Sequence, residues 1–118
     1  PESKQATTLI DCIWFADQRN RIPGVIEIEH STGVTPGLTR MRKLKDTLPA
    51  VEMTFVIVAP DDLRAKVNSE AQKPIYRDLN VRFLPYSTLR ELYGIIRRYA
   101  LAGFVDHRFV HAFMEQVV

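Results

Sequence analysis

Cysteine and long apolar segments are scarce in this sequence, and their scarcity excludes several classes of protein. Cys12 is the single cysteine among 118 residues, so the chain has neither an internal disulfide framework nor a zinc site built on paired cysteines. The richest apolar run, residues 51–60, contains Glu52 and is much shorter than the roughly 18 residues that a membrane helix needs. We therefore expect no membrane span and a reducing, cytoplasmic setting.

Glycine-rich loops, activated serines and a strong charge excess are also missing. The five glycines never form a G-x-G-x-x-G or GK[ST] element, and no serine lies in a G-x-S-x-G turn. These absences argue against nucleotide-hydrolysing and serine hydrolase functions. The net charge of +2 is too small to require a polyanionic partner. The N-terminal residues PESKQATTLID lack the basic start and apolar block of an export signal.

Composition and element order predict one mixed α/β domain over residues 1–118. Hydrophobic residues make up 46% and charged residues 25% of the chain, as in ordinary globular domains. Strand-like and helical segments alternate after an opening hairpin, which favours an α/β or α+β layer with a mixed sheet flanked by helices. Strands are predicted at 9–15, 25–30, 52–59 and 81–86, and helices at 36–47, 63–73, 89–100 and 109–117.

Local signals give these elements their predicted ends and places. The nearly continuous apolar run EMTFVIVA at 52–59 is typical of a central strand that is covered on both faces. Thr35 is a predicted N-cap with Pro36 at the first helical position. Asp61 or Asp62 is expected to cap the second helix, and Ser87 or Thr88 the third.

Three acidic residues are predicted to converge on the opening hairpin. Glu27 and Glu29 lie two apart in a strand, so they share a face about 7 Å apart. A symmetric pairing of residues 9–15 with 25–30 places Asp11 opposite Glu27. The neighbouring residues are apolar, so the acids are expected to be partly buried. Crowded carboxylates of this kind need protons or a cation between them, and their oxygens favour Mg²⁺ or Mn²⁺.

The same pattern has less specific interpretations. An acid pair on a strand is most often a solvated face, and E-x-E alone occurs in many unrelated sequences. His30 has the opposite parity from the acids, which favours a strand-end structural role. His107 and His111 are four residues apart but lack a third ligand at a suitable spacing. If the acids do not converge, a generic α/β protein-interaction domain remains an open alternative.

The arrangement D-x₁₅-E-x-E followed by a helix resembles the PD-(D/E)xK nuclease superfamily, which includes many restriction endonucleases. The resemblance covers residues 9–59, and the run IEIEHSTGVTPGLTRM resembles a restriction-endonuclease-like group that reads E-x-E-H-[ST] before a helix carrying R-M. Two positions depart from the family pattern: Ile10 replaces the proline, and Glu29 stands where the lysine is usual. The resemblance implies that Asp11 and Glu27 hold the metal.

The resemblance further implies a Mg²⁺-dependent endodeoxyribonuclease that hydrolyses DNA phosphodiester bonds, with Mn²⁺ as a second suitable ion. The main-chain carbonyl of Ile28 would complete the metal ligands. Glu29 would orient or deprotonate the attacking water, or bind a second metal. Arg40 is the candidate for the positive group beside the phosphate that the family's lysine usually supplies. A catalytically inactive nuclease-fold domain, acting as a DNA-binding or assembly module, is the alternative that the missing lysine favours.

The helix after the acids is the predicted nucleic-acid contact. Its basic flank and the residues at its start are expected to touch DNA phosphates. Only ten residues precede Asp11, although the family core begins earlier, so we expect a fragment of a longer chain with a separate DNA-recognition region. A homodimer that cuts both strands is a further expectation. The predicted nucleic-acid-binding residues are Thr32, Thr35, Arg40, Arg42 and Lys43.

Overall fold

The computed structural model describes residues 24–30, 33–99 and 107–117. In these ranges the main elements are β1 (Gly24–Ile28), α1 (Thr35–Thr47), β2 (Thr54–Ala59), α2 (Arg64–Ala71), β3 (Arg82–Pro85), α3 (Tyr86–Arg98), α4 (His107–His111) and β4 (Glu115–Gln116). Short 3₁₀ turns at Asp61–Leu63 and Arg77–Leu79 connect them. The predicted strand at 9–15 and its hairpin lie outside the described residues.

The described strands form one mixed sheet in the order β1-β2-β3-β4. The first three strands are parallel, and β4 is antiparallel to β3. Glu27 pairs with Ile57 in the β1–β2 register, and Ile57 pairs with Phe83 in the β2–β3 register. Strand β2 therefore lies inside the sheet, and all of its residues except Thr54 are buried. The prediction of a central strand is confirmed, although it begins two residues later than Glu52.

Helices cover both faces of the sheet, each with its own apolar core. Alternate β2 residues point to opposite faces, so each face receives part of that strand. On one face α1 and α2 bury Leu38, Met41 and Val67 against Phe55, Ile57 and Phe83. On the other face α3 and α4 bury Leu89, Leu92, Ile96 and Val110 against Val56, Val58 and Leu84. The predicted α/β (α+β) class, a mixed sheet flanked by helices, is thus confirmed.

The start of α1 is fixed by packing and not by the predicted threonine cap. Thr35 is already inside the helix, and Val34 occupies the capping position without a side-chain hydrogen bond. Val34 is fully buried in the α1 core, so tertiary contacts set where the helix begins. Pro36 lies in the first turn as predicted.

The start of α3 is capped from a distant part of the chain. The helix begins at Tyr86, directly after β3, and neither Ser87 nor Thr88 is its N-cap. Instead the Ser87 main-chain N–H donates to Asp61 Oδ1 at 3.0 Å, and the Ser87 hydroxyl donates to Asp61 Oδ2. The predicted serine or threonine cap is therefore wrong, because the partner lies 26 residues away and gives no local signal.

The C-terminal segment also differs from the prediction of one helix through 109–117. Helix α4 ends at His111, and residues 115–116 form β4. Arg64 donates to both carboxylate oxygens of Glu115 at 2.9 Å, which ties β4 to the start of α2. Phe113 and Val117 thus follow the helix. No helix in the described ranges has the length and apolar character needed to cross a membrane.

Candidate active site

The acidic pair lies at the carboxyl end of β1, under helix α1. The Glu29 main-chain N–H donates to the Val58 carbonyl at 2.8 Å, so the pairing with β2 continues beyond the last strand residue. Ile26 and Ile28 pack in the core on the α3 side, whereas Val25 packs in the core on the α1 side. Alternation therefore places Glu27 and Glu29 together on the α1 face.

Gly37 brings the backbone of α1 against both acids. A methyl group on Gly37 would lie 2.6 Å from Glu29 Oε1 and 3.2 Å from Glu27 Cβ, both closer than ordinary packing allows. Only glycine permits this approach without displacing the Glu29 carboxyl group. The one signal for Gly37 in the sequence is its place within the first turn of a predicted helix, where helix propensity disfavours glycine.

Arg40 is the cationic partner of Glu27. Its Nε donates to Glu27 Oε1 at 2.8 Å, and its Nη2 donates to the same oxygen. The hydrogen bonds that Arg40 donates to Glu27, together with the negative charge of Glu27, raise the pKa of Arg40 above its ordinary value, so the guanidinium stays charged. The Arg40 side chain is 62% exposed and that of Glu27 is 20% exposed. The cation therefore approaches from solvent, beside the acid that the sequence predicts as a metal ligand.

Glu29, unlike Glu27, has no ion pair with Arg40 in the described part of the chain. Its Oε1 is buried and has no hydrogen-bond partner among the described residues. Burial raises the pKa of Glu29, the neighbouring Glu27 charge raises it further, and Arg40 and His30 oppose the rise. A buried carboxylate oxygen without a donor destabilises the fold unless a proton or a cation approaches it. A further positive charge near Glu29 would therefore stabilise the described part of the site.

A hard divalent cation suits this donor set. Carboxylate and carbonyl oxygens are the ligands that Mg²⁺ and Mn²⁺ prefer, and the unpartnered Glu29 oxygen lies buried against Gly37. Within the described ranges no group of three His, Cys, Asp or Glu residues could hold a metal. The third predicted acid, Asp11, lies outside those ranges. Ile28 lies between the two glutamates, and its carbonyl remains a predicted ligand.

Tyr86 and His30 form a second set of polar contacts at the same edge. The Tyr86 hydroxyl lies 2.9 Å from His30 Nδ1 and 3.4 Å from the Glu29 main-chain oxygen. Tyr86 is buried, whereas His30 is exposed. The hydroxyl thus links the first residue of α3 to the end of β1. In the sequence Tyr86 is only the last residue of a predicted apolar strand, so no local pattern indicates its contact with His30.

The predicted phosphate contacts on α1 have different environments. Arg42 is mostly buried and donates to Asp46, to Asp78 and to the Ile75 carbonyl, so it fastens α1 to the turn at Arg77–Leu79. Lys43 is exposed and forms no ion pair with another described residue. Thr35 is exposed in the first turn of α1, and Thr32 lies outside the described residues.

A cleft of about 300 Å³ lies at the opposite edge of the sheet. It opens at the amino ends of β2 and β3, and its lining includes Lys45, Glu52 and Arg82. No predicted site residue lines it. The acidic pair and this cleft are therefore separate features.

Comparison with known proteins identifies a family. A family model described as the C-terminal domain of the type II restriction enzyme NmeDI matches residues 1–117. The chain is 47% identical over 116 residues to the type II restriction enzyme NmeDI of Neisseria meningitidis serogroup C. The match covers 97% of this chain but 33% of the relative. The chain thus spans about a third of the length of the curated relative it matches. No solved structure matches the chain.

Proposed function

The chain belongs to the family of C-terminal domains of the type II restriction enzyme NmeDI, and we propose that it is a metal-dependent endonuclease domain that hydrolyses DNA phosphodiester bonds. The printed name of the relative is that of a restriction enzyme, which favours DNA as the partner. The D-x₁₅-E-x-E pattern and its resemblance to the PD-(D/E)xK superfamily support catalysis in this part of the protein.

The observation that carries the proposal is the Glu29 carboxylate oxygen Oε1, which has no hydrogen-bond partner in the described part of the chain. It is buried beside Glu27, beneath a glycine that leaves room for no side chain. A purely structural acid would have donors, because an unsatisfied buried oxygen destabilises the folded state. Retention of this arrangement is expected where the oxygen serves a ligand or a reaction.

Each residue of the site has a defined task in this proposal. Asp11 and Glu27, with the carbonyl of Ile28, would hold Mg²⁺ or Mn²⁺. At that position the ion would supply Lewis acidity toward a phosphoryl oxygen and toward the attacking water. Glu29 would orient that water and accept its proton, a task that suits a carboxyl group whose burial raises its pKa. Arg40 would stabilise the charge that develops on the phosphate.

Helix α1 would carry the contacts to the DNA backbone. Lys43 is the best placed cation on this helix, since it is exposed, while Arg42 would have to leave its acidic partners first. Thr32 and Thr35, at the start of the helix, would add neutral contacts where main-chain N–H groups favour anions. The remaining length of the relative leaves room for a separate recognition region, and two copies would be needed to cut both strands in one encounter.

Nicking of supercoiled plasmid DNA tests the proposal. The chain, alone and within its full-length protein, should nick DNA in Mg²⁺ or Mn²⁺, stop in chelator and recover when metal is restored. Glu27→Gln and Glu29→Gln should abolish nicking without unfolding the chain. Glu91→Gln is a matched control, because Glu91 is exposed on α3, on the other side of the sheet. Equal activity in all three variants would exclude the acidic pair as the site.

The Arg40–Glu27 ion pair favours one alternative, a nuclease fold used only for DNA binding or assembly. A cation from the protein already occupies one of the two described acids. In that case the chain would bind duplex DNA but show no metal-dependent nicking in any context. In that case neither the parent nor Arg40→Met would show metal-dependent nicking.

A further inference from the structure

We infer that Arg40 is an exchangeable counter-ion of the acidic site. Its guanidinium holds Glu27 in the metal-free chain and passes to a DNA phosphate when a divalent cation binds the carboxylates. This inference rests on the proposed function. It adds a coupling between metal binding and DNA binding that a permanently placed phosphate-binding arginine would lack.

The geometry of the ion pair makes exchange easy. Both donating nitrogens of Arg40 converge on Oε1 of Glu27, whereas a strong arginine–carboxylate pair engages both oxygens side by side. The Arg40 side chain is also 62% exposed. Exposed ion pairs contribute little to stability because water screens them. Arg40 can therefore leave Glu27 at a small free-energy cost.

The pair does not neutralise the site. Within the described residues two carboxyl groups face a single guanidinium, and Glu29 Oε1 receives no hydrogen bond. When both acids are ionised, one net negative charge remains. Only a second positive charge can compensate it, and a divalent cation between the acids supplies that charge while removing the reason for Arg40 to stay on Glu27.

The helix stays in place while the side chain moves. Gly37, one turn before Arg40, is buried against the two acids, so α1 has a fixed position relative to β1. The Arg40 side chain extends into solvent from this fixed base. A planar guanidinium binds phosphate well and stays charged after release. Metal binding would thus add a free cation at the place where the DNA backbone must approach.

Metal binding without any reaction tests the first half of the inference. Free Mn²⁺ would be measured by electron paramagnetic resonance during titration of the metal-free chain. Arg40→Met and Arg40→Gln should bind Mn²⁺ about two- to fivefold more tightly than the parent, since no internal cation has to be displaced. Arg77→Met is the matched control for net charge, because the exposed Arg77 side chain donates to the Gln72 carbonyl and forms no ion pair with another described residue. It should leave Mn²⁺ affinity unchanged.

The outcomes separate the inference from the proposed function. Equal or weaker Mn²⁺ binding by both Arg40 variants would overturn the exchange, while the metal site itself would stand. An equal gain in Arg77→Met would also overturn it, because the effect would then reflect net charge alone. A parent chain that binds no Mn²⁺ would overturn the proposed function, and the exchange with it.

DNA affinity with and without metal tests the second half. Binding of a fluorescein-labelled duplex would be followed by anisotropy at fixed ionic strength, in chelator and in Ca²⁺. Arg40→Met should weaken binding in Ca²⁺ by about two- to tenfold and change it little in chelator, because only the released arginine contacts phosphate. Equal weakening in both conditions would show a permanent phosphate contact and contradict the exchange.

Discussion

Two acidic residues follow neighbouring strands at the same edge of the sheet, yet their surroundings are opposite. Asp61, after β2, accepts hydrogen bonds from the main chain and side chain of Ser87. Burial alone would raise its pKa, but the Ser87 bonds and the charge of Arg64 lower it overall. Glu29, after β1, has an oxygen with no donor among the described residues, and burial together with Glu27 raises its pKa.

The contrast separates a structural acid from a candidate functional one. Asp61 stabilises the start of α3 in its ionised form and needs nothing from outside the chain. Glu29 is placed so that its ionised form is disfavoured until positive charge arrives. Position at the carboxyl edge of a parallel sheet is therefore not enough to indicate chemistry. Whether each carboxylate has hydrogen-bond donors around it is the more informative observation.

Among variants that keep both acids of the site, the largest expected effect comes from Gly37→Ala. The added methyl group would approach within 2.6 Å of Glu29 Oε1, so the flexible carboxyl group must move out of the site. Misplaced supporting contacts commonly weaken metal sites by about tenfold or more, and we expect Mn²⁺ affinity to fall by that order. Thermal stability should change far less, because alanine also favours the helix. Calorimetric titration and melting curves measure both, and unchanged Mn²⁺ affinity would contradict the site geometry.

Removal of the structural acid should instead affect folding. Asp61→Ala deletes the acceptor of both Ser87 donors and should lower the free energy of unfolding by about 1 to 2 kcal/mol. Adjacent Asp62 is exposed, so Asp62→Ala is a matched control that should remain close to the parent. Urea unfolding at pH 7 makes the comparison. Equal losses in the two variants would mean that the Asp61 cap contributes nothing specific.

Tyr86→Phe should have a smaller effect on stability and none on the metal. The variant keeps the buried ring but removes the hydroxyl that lies 2.9 Å from His30 Nδ1. Loss of such a hydrogen bond typically costs about 1 kcal/mol. Urea unfolding would measure the loss, and Mn²⁺ titration should be unaltered. A large fall in Mn²⁺ affinity would show that Tyr86 belongs to the metal site after all.

The smallest effect expected is a difference in pH dependence. The lowered pKa of Asp61 means that its stabilisation is present above its ordinary value of 3.8 and is lost as pH falls through the folded-state pKa. For Glu29 the raised pKa gives the opposite sign, with stabilisation present below 4.5 and lost as pH rises through the folded-state pKa. In chelator, Glu29→Gln should reduce the fall in folding stability that the parent shows above pH 4.5. Asp61→Asn should reduce the fall in folding stability that the parent shows on acidification. The free energy of unfolding would be measured across pH. A change in the same pH range for both variants would contradict this expectation.

The sequence predicted the central strand better than it predicted the ends of the helices. The apolar run in β2 and the spacing of Leu38 and Met41 in α1 follow from periodicity, which is a local property. The cap on Ser87 comes from Asp61, 26 residues away, and only the folded chain brings them together. The start of α1 likewise depends on burial of Val34 and not on a cap residue.

In the candidate site, too, local patterns predicted some features while long-range contacts determined others. The shared face of Glu27 and Glu29 follows from strand alternation, and helical geometry indicated Arg40 on a flank of α1. Their mutual contacts did not follow, since the helix position depends on the close approach at Gly37. Arg42, grouped with Lys43 by sequence as a DNA contact, turned out to hold α1 to Asp78. Charge placement along a sequence cannot distinguish a free cation from one that is already paired.

Calorimetric titration of Mn²⁺ into the metal-free chain tests the central claim most directly, because it requires neither a substrate nor a recognition sequence. The parent and Asp61→Asn should both bind Mn²⁺ with the same affinity. Glu27→Gln should lose that binding, and Glu29→Gln should weaken it because a neighbouring negative charge is removed, while both variants keep their fold. No binding by the parent at millimolar Mn²⁺, or equal affinity in all four proteins, would contradict a divalent-metal site at Glu27 and Glu29.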